Sequence, residues 1–325
     1  MRKKAVRTLS LLTLALALVG ATALAQSYPT RPIRIIVGAA PGGGLDLVGR
    51  PIAQRLSEVL GQPVLFENKP GANGNVGADE VVRAAPDGHT LLLSSTSQLT
   101  INPALYASMP FDSIRDLAPI ILVSLTPTSL VVPPAMAVGS VKELLALARA
   151  KPGAVSYASA GNGSINHLTG EMLAMQAKVQ LLHVPYKGTG PALNDVMAGQ
   201  VNSMFVSFPQ TLALVKAGRL RTLAVSSSAR VPSLPDVPSM AEMGFPDFQS
   251  SAGIGLLAPA KTPRTVIDRI NAETVKYLNS PDGRDKIAGQ GAQIIAGTPE
   301  EFARLIRDEA VRWALVVKTG NIRIE

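Results

Sequence analysis

The sequence predicts an α/β chain of two doubly wound lobes joined by two crossing segments, and three observations predict it. Short β-branched runs alternate with amphipathic stretches, which is the pattern of a mainly parallel sheet with helices on both faces. That series occurs twice along the 325 residues, separated by a Pro-rich segment over 126–134. Each series also carries one small-residue turn between a strand and a helix, at Gly38-Ala39-Ala40-Pro41-Gly42-Gly43-Gly44 and at Ser159-Ala160-Gly161-Asn162-Gly163-Ser164.

In the first series the run Ile33-Arg34-Ile35-Ile36-Val37 is a strand, and the apolar periodicity over 45–60 is a helix. A strand over 64–67, a helix over 75–85 and a strand over 90–93 follow, each set off by Gly, Pro or Asp. The second series predicts a helix over 141–150, a strand over 155–158 and a helix over 164–177. Units at 181–184, 192–198, 201–206 and 220–225 complete it, before an irregular Pro-, Ser- and Gly-rich stretch over 226–253. A strand over 254–257 and three helices close the chain. The last helix, 299–318, starts with Pro299, Glu300 and Glu301, has Gly320 just past its end, and is expected on the first lobe. Crossings at 125–128 and 249–253 then divide the chain into lobe 1 (26–124 plus 253–325) and lobe 2 (125–252).

The first residues predict export. Arg2, Lys3, Lys4 and Arg7 precede an apolar run over 9–19 that is too short to span a bilayer, and Ala23-Leu24-Ala25 predicts cleavage before Gln26. The net charge of +8 falls to +4 without those four cations, and the remaining basic residues are scattered, so no nucleic-acid patch is expected. Cysteine is absent, which excludes disulfides, thiolate metal sites and thiol nucleophiles. A 46% apolar content with 4% aromatic residues fits a globular chain.

Both small-residue turns lead into helix N-termini, where unpaired N–H groups and the dipole favour an anion and glycine admits close approach to the backbone. Ligands of open α/β sheets sit beyond the carboxyl ends of the strands, so facing lobes present both turns to one cleft. Leu47 and Asn166 stand where a dinucleotide fingerprint has its third glycine, and no phosphate-binding G-x-x-x-x-G-K-[ST] occurs. Asp46 has three readings: it complements its own helix, meets the ligand through water, or pairs with a ligand ammonium. Ser164, His167 and Asp195 suggest a hydrolase, but no G-x-S-x-G elbow supports one. Three isolated histidines without H-E-x-x-H spacing predict no metal site, and nothing indicates a cofactor.

The chain resembles the substrate-binding component of tripartite tricarboxylate transporters, also called Bug receptors. The resemblance rests on ordered blocks, among them Ala40-Pro41-Gly42-Gly43-Gly44-Leu45-Asp46, Glu67-Asn68-Lys69-Pro70-Gly71-Ala72, Pro86-Asp87-Gly88-His89-Thr90, His183-Val184-Pro185-Tyr186-Lys187-Gly188 and Leu234-Pro235-Asp236-Val237-Pro238. It implies a periplasmic-binding-protein-like Venus flytrap, a monomer of the periplasm with no enzymatic activity, which hands a small carboxylate to the transporter's membrane subunits. The proximal carboxylate would be held by Gly42, Gly43, Leu45 and Asp46 with Ser159, Gly161, Ser164 and His167. Ser95, Thr96, Ser97, Phe205 and Ser207 would line the rest of the cleft.

Two departures from the family pattern concern specificity. Ala39 stands where relatives usually have an aromatic residue, and Gly253 where they usually have Trp. Both remove bulk, which predicts a wider pocket for a bulkier or aromatic carboxylate. His89 replaces a common Tyr. A sensor that shows its closed form to a signalling receptor would use the same cleft, and an exported carboxylate-metabolising enzyme is the third reading.

Overall fold

A computed structural model describes residues 28–231, 234–288 and 292–323; the leader and its cleavage point before Gln26 lie outside them. In the first half, β1 (Ile33–Val37), β2 (Val64–Asn68) and β3 (Thr90–Ser95) alternate with α1 (Gly44–Leu60) and α2 (Asn75–Val82). Two short helices missing from the sequence reading, α3 (Thr96–Thr100) and α4 (Asn102–Leu105), follow β3. A long strand β4 (Leu117–Val132) leads to α5 (Val141–Ala150), β5 (Ser156–Ser159), α6 (Ile165–Ala177), β6 (Leu182–Pro185), α7 (Thr189–Met197) and β7 (Ser203–Ser207). After α8 (Phe208–Lys216) and β8 (Arg221–Val225), the chain returns through β9 (Ser251–Pro259) to α9 (Arg264–Leu278), α10 (Pro281–Ala288), β10 (Gln293–Ile294) and α11 (Pro299–Thr319).

The strands share one mixed sheet in the order β2-β1-β3-β9-β4-β7-β5-β6, with β8 and β10 also on β4. Only its outer strands are parallel: β1 pairs β2 and β3, and β5 pairs β6 and β7, in parallel register. The centre is antiparallel, against the mainly parallel expectation. β4 pairs β9 from Leu117↔Pro259 to Pro127↔Ser251, then changes partners and pairs β7 from Thr128↔Ser207 to Val131↔Met204.

The Pro-rich segment expected to separate the two series is therefore strand as far as Val132. Proline cannot donate to a ladder and survives in strands at irregularities. Pro119 lies at a register shift, and Pro127 is the last residue paired with β9 before the partner changes. The residues of β4 are buried along most of their length because helices cover both faces.

Periodicity explains the helices. The apolar stripe of α1 (Leu45, Val48, Ile52, Ala53, Leu56) packs with Ile33, Ile35, Leu91 and Ile270, and the helix stops where Gly61 takes φ +69 and donates to the Ser57 carbonyl. Helix α11 carries a capping box, with Thr298 and Glu301 each accepting the other's backbone N–H. At its other end Gly320 stays right-handed and Asn321 takes the left-handed turn at φ +48.

Helix α11, expected on the first lobe, packs there with its first half and on the second core with its last. Phe302 and Ile306 join Ile36, Leu92, Leu122 and Leu257 of the first core, while Trp313, Val316 and Val317 join Leu130, Leu168, Met172 and Phe205 of the second. One helix thus carries side chains into both cores. Elsewhere, His89 accepts from the Thr30 N–H at 3.3 Å and meets the Tyr28 ring edge-on at 5.1 Å. It anchors the start of the described chain.

Trp313 is 1% exposed. Replacing it with alanine should cost about 3–5 kcal/mol, read as a lower urea midpoint; a loss below about 1 kcal/mol would show that the second core does not depend on this helix.

Candidate functional site

The first turn leaves the carboxyl end of β1 and enters α1 through Gly43, the N-cap, which has no side-chain cap. Gly42 takes φ +87, a region other residues rarely adopt. A Cβ built on Gly42 or Gly44 would meet nothing within 4 Å, and one on Gly43 only the Ala40 carbonyl at 4.0 Å. The helix N-terminus therefore opens onto free space. By contrast, a Cβ on Gly38 would stand 2.7 Å from the backbone of Gly74, so this glycine serves packing between two loops.

Asp46 is buried, at 4% exposure. One carboxylate oxygen accepts from the Gly42 N–H at 3.1 Å and from Arg50 at 2.8 and 3.0 Å, and the other accepts from Asn68 at 2.8 Å. Asn68 also donates to the Ala39 carbonyl at 3.0 Å. Burial raises the Asp46 pKa, but the bonds from Asn68, Gly42 and Arg50 outweigh it and hold the carboxyl below its usual value. Of the three readings left open for Asp46, the geometry favours the first: it organises its own turn and helix.

The second turn leaves β5 and enters α6. Ser164 caps the helix, accepting from the His167 N–H and donating to the Gly161 carbonyl at 2.7 Å. Gly161 and Gly163 take φ +131 and +75. Ser159 accepts from the Gly161 N–H at 3.1 Å, and its hydroxyl lies 2.7 Å from Nε2 of His183. Nδ1 of His167 accepts from the Gly163 N–H at 3.1 Å, which requires this nitrogen to be unprotonated.

The rings of His167 and His183 stack at 3.8 Å and 4°, with Tyr157 stacked beyond His183 at 5.0 Å. Burial lowers the pKa of each imidazole to about 4, and the neighbouring imidazole adds to the effect at His183. Two neutral rings thus support this turn at pH 7. Among the described residues no group of His, Asp and Glu could hold a metal ion.

The remaining expected residues divide. Ser95 caps α3, accepting from the Gln98 N–H, and lies 3.0 Å from the Ser97 hydroxyl at the carboxyl end of β3. Ser207 ends β7 half-buried. Phe205 does not line a cleft: it is 1% exposed, stacks on Phe248 at 5.5 Å, and offers only its carbonyl to Asn166 at 2.7 Å. Thr96 is fully buried, and its hydroxyl accepts from the Gly253 N–H at 3.2 Å. A Cβ on Gly253 would fall 2.3 Å from Thr96 and 3.1 Å from Leu125. The missing bulk at 253 is therefore filled by Thr96, and no widened pocket results there. Ala39 is half-buried beside the first core.

Sequence reasoning missed the residues that hold the turns. Asn68 and His183 do so for the first and second turns. Beside Gly38, the run from Gly71 to Gly74 takes positive φ at all four residues, including Ala72 and Asn73. Asn102 fixes it by accepting from the Asn73 side chain at 2.6 Å and donating to the Asn73 carbonyl at 3.1 Å. The Pro-Gly-Ala-Asn-Gly string after β2 was the available signal.

Residues 48–322 match the family described as "Tripartite tricarboxylate transporter family receptor". The fold is that of the solved periplasmic binding protein BugD, with TM-score 0.72 and 33% identity over 91% of this chain and all of BugD. It is also similar to Rpa4515 of R. palustris, solved with adipate: TM-score 0.76, 32% identity, 91% of this chain and all of that one. MatC from Rhodopseudomonas palustris, solved with bound malate, has TM-score 0.73 and 31% identity over 89% of this chain and all of that one. No helix among the described residues is long and apolar enough to cross a membrane.

Both imidazoles titrate below their unfolded value of about 6.5. Between pH 6.5 and 4 the unfolded chain binds protons that the folded one refuses, so their stability contribution is complete above pH 6.5 and lost as pH falls through about 4. Urea titrations over this range should show falling stability in the wild type, by up to roughly 3 kcal/mol per imidazole, and a flatter profile in His167→Gln. An unchanged slope in the variant would remove His167 from the account.

Proposed function

Because this chain belongs to the tripartite tricarboxylate transporter receptor family, we propose that it is a periplasmic solute-binding protein that grips a small carboxylate between its two small-residue turns and delivers it to the transporter's membrane subunits. The observation that carries this reading is the pair of helix N-termini at the carboxyl ends of β1 and β5. One opens through glycines at which an added Cβ would meet nothing closer than 4.0 Å, and the other is set by Ser159, Ser164 and two neutral imidazoles.

Lobes of 26–124 plus 253–325 and of 125–252 would close over the ligand by flexing where β4 and β9 cross. Residues 42, 43 and 45 from the first turn and 159, 161, 164 and 167 from the second would meet the proximal carboxylate, with Ser95, Ser97 and Ser207 nearby. Asp46 and Thr96 act by holding their loops. The adipate and malate of the two similar structures support a dicarboxylate as the first class to test.

The arrangement suffices for useful affinity without a cationic side chain. A helix dipole contributes about 0.3–1 kcal/mol, up to about 2 when partly buried, and each hydrogen bond to a charged group about 1.5–3. At the favourable end of these ranges, four or five such bonds, less the cost of association, reach the roughly 8 kcal/mol of a micromolar site.

A thermal-shift screen across mono-, di- and tricarboxylates, with sugars and amines as controls, should give stabilisation confined to the carboxylates; hits only among uncharged or cationic solutes would overturn the reading. Gly43→Val is the matching variant, since Gly43 has φ −83 and room for a side chain. It should retain its melting temperature within a few degrees and lose at least tenfold in affinity for whichever carboxylate binds. Unchanged affinity would exclude this turn from the site.

A further inference from the structure

The buried stripe of α11 runs Phe302, Ile306, Glu309, Trp313 and Val316. Its first two members belong to the first core and its last two to the second. The single polar member, Glu309, sits at the boundary and is 4% exposed. The Thr100 hydroxyl donates to its carboxyl at 3.4 Å.

Arg312 lies one turn further along the same helix. It does not pair with Glu309; its guanidinium donates to the Gln249 carbonyl at 2.7 Å. Gln249 begins the segment that enters β9. That segment is also held at Ser250, whose carbonyl accepts from the Thr128 N–H at 3.2 Å and whose hydroxyl lies 2.5 Å from that of Thr169 on α6, and at Gly253, which donates to Thr96. The Gln249 carbonyl that Arg312 holds is therefore one of the anchors of the returning crossing.

We propose that Glu309 and Arg312 form a proton-controlled latch on this crossing. With Glu309 protonated, Arg312 is free to hold Gln249. When Glu309 ionises, the buried carboxylate needs a cation and more donors than the Thr100 hydroxyl supplies, because that hydroxyl also serves the Thr96 carbonyl at 2.9 Å. Arg312, three residues away on the same helix, is drawn back to it, and residues 249–253 lose that anchor. The proton passes to solvent, and no other group changes its charge.

Burial pushes the Glu309 carboxyl up to about 7, with the charge of Arg312 and the hydroxyls of Thr96 and Thr100 drawing it part of the way back. Its surroundings leave few competing charges. Helices α3 and α4 and strands β4 and β9 bring no charged side chain, and α6 brings only His167 and Glu171. His167 titrates near 4, well apart from Glu309. On α11 itself Arg304, Arg307 and Asp308 lie on the exposed face. The latch requires no ligand, so its failure and failure of the carboxylate reading are separate results.

Trp313, the only tryptophan in the chain, sits one turn from Glu309 on the same stripe and reports its charge. Its emission should titrate near neutral pH in the wild type and stay flat in Glu309→Gln. Hydrogen exchange at residues 249–253, corrected for intrinsic rates, should accelerate at least tenfold from pH 6 to pH 8.5 in the wild type and not in Glu309→Gln, which stays latched. Arg312→Ala should be loose at both pH values. If Trp313 does not titrate in the wild type, if it titrates without loosening the crossing, if Glu309→Gln keeps the wild-type response, or if Arg312→Ala is as protected as the wild type at pH 6, the latch is wrong.

Discussion

The whole arrangement depends on the antiparallel ladder between β4 and β9. Two crossing segments left as open chain would expose a row of backbone N–H and C=O groups between the cores, each needing a partner. Making both segments strands satisfies those groups, and the shared sheet continues through the junction. The ladder holds from Leu117↔Pro259 to Pro127↔Ser251, and β4 then pairs with β7 and β8. Proline lies at the register shift near 119 and at the change of partner at 127, where a missing N–H is tolerated. Every other element is placed relative to this pair.

Each small-residue turn is shaped by buried polar chemistry of a different kind. The first uses a charge: an ionised Asp46 gathers Gly42, Asn68 and Arg50. The second avoids charge, relying on neutral imidazoles and on Ser159 and Ser164. In both, the side chains face back into the loop and accept from its backbone N–H groups: Asp46 from that of Gly42, and Ser159, His167 and Ser164 from those of Gly161, Gly163 and His167. In the proposed site, selectivity for an anion would come from backbone and dipole, which many sequences supply, and recognition of the rest of a ligand would fall to other side chains.

Much of this was legible in the sequence. Alternating β-branched and amphipathic runs gave away β1, α1, β3, α5 and α6, because each buries one periodic face against a neighbour. The two turns were visible because each is a run of glycine and other small residues between a strand and a helix. What was hidden depends on contacts distant in the chain. β4 reads as a Pro-rich linker until β9 is known to lie beside it. Phe205 lies in the middle of β7, two residues before Ser207, and stacks on Phe248 in the core. His183 and Asn68 look like ordinary strand residues, and only the fold reveals what their side chains hold. Helix α11 follows every capping rule, but capping says nothing of which core receives which half.

The contact between Thr96 and Gly253 bears on how such a protein diverges. A larger residue at 253 has nowhere to go while Thr96 stands, since even a first carbon would overlap it. A residue at 96 without a hydroxyl would leave the Gly253 N–H without its acceptor. Position 253 cannot gain bulk alone, and position 96 cannot lose its hydroxyl alone, without loss, so a lineage that makes both changes one at a time must pass through an intermediate that is either crowded or missing a hydrogen bond. Redesign of this junction has to treat the pair as one site.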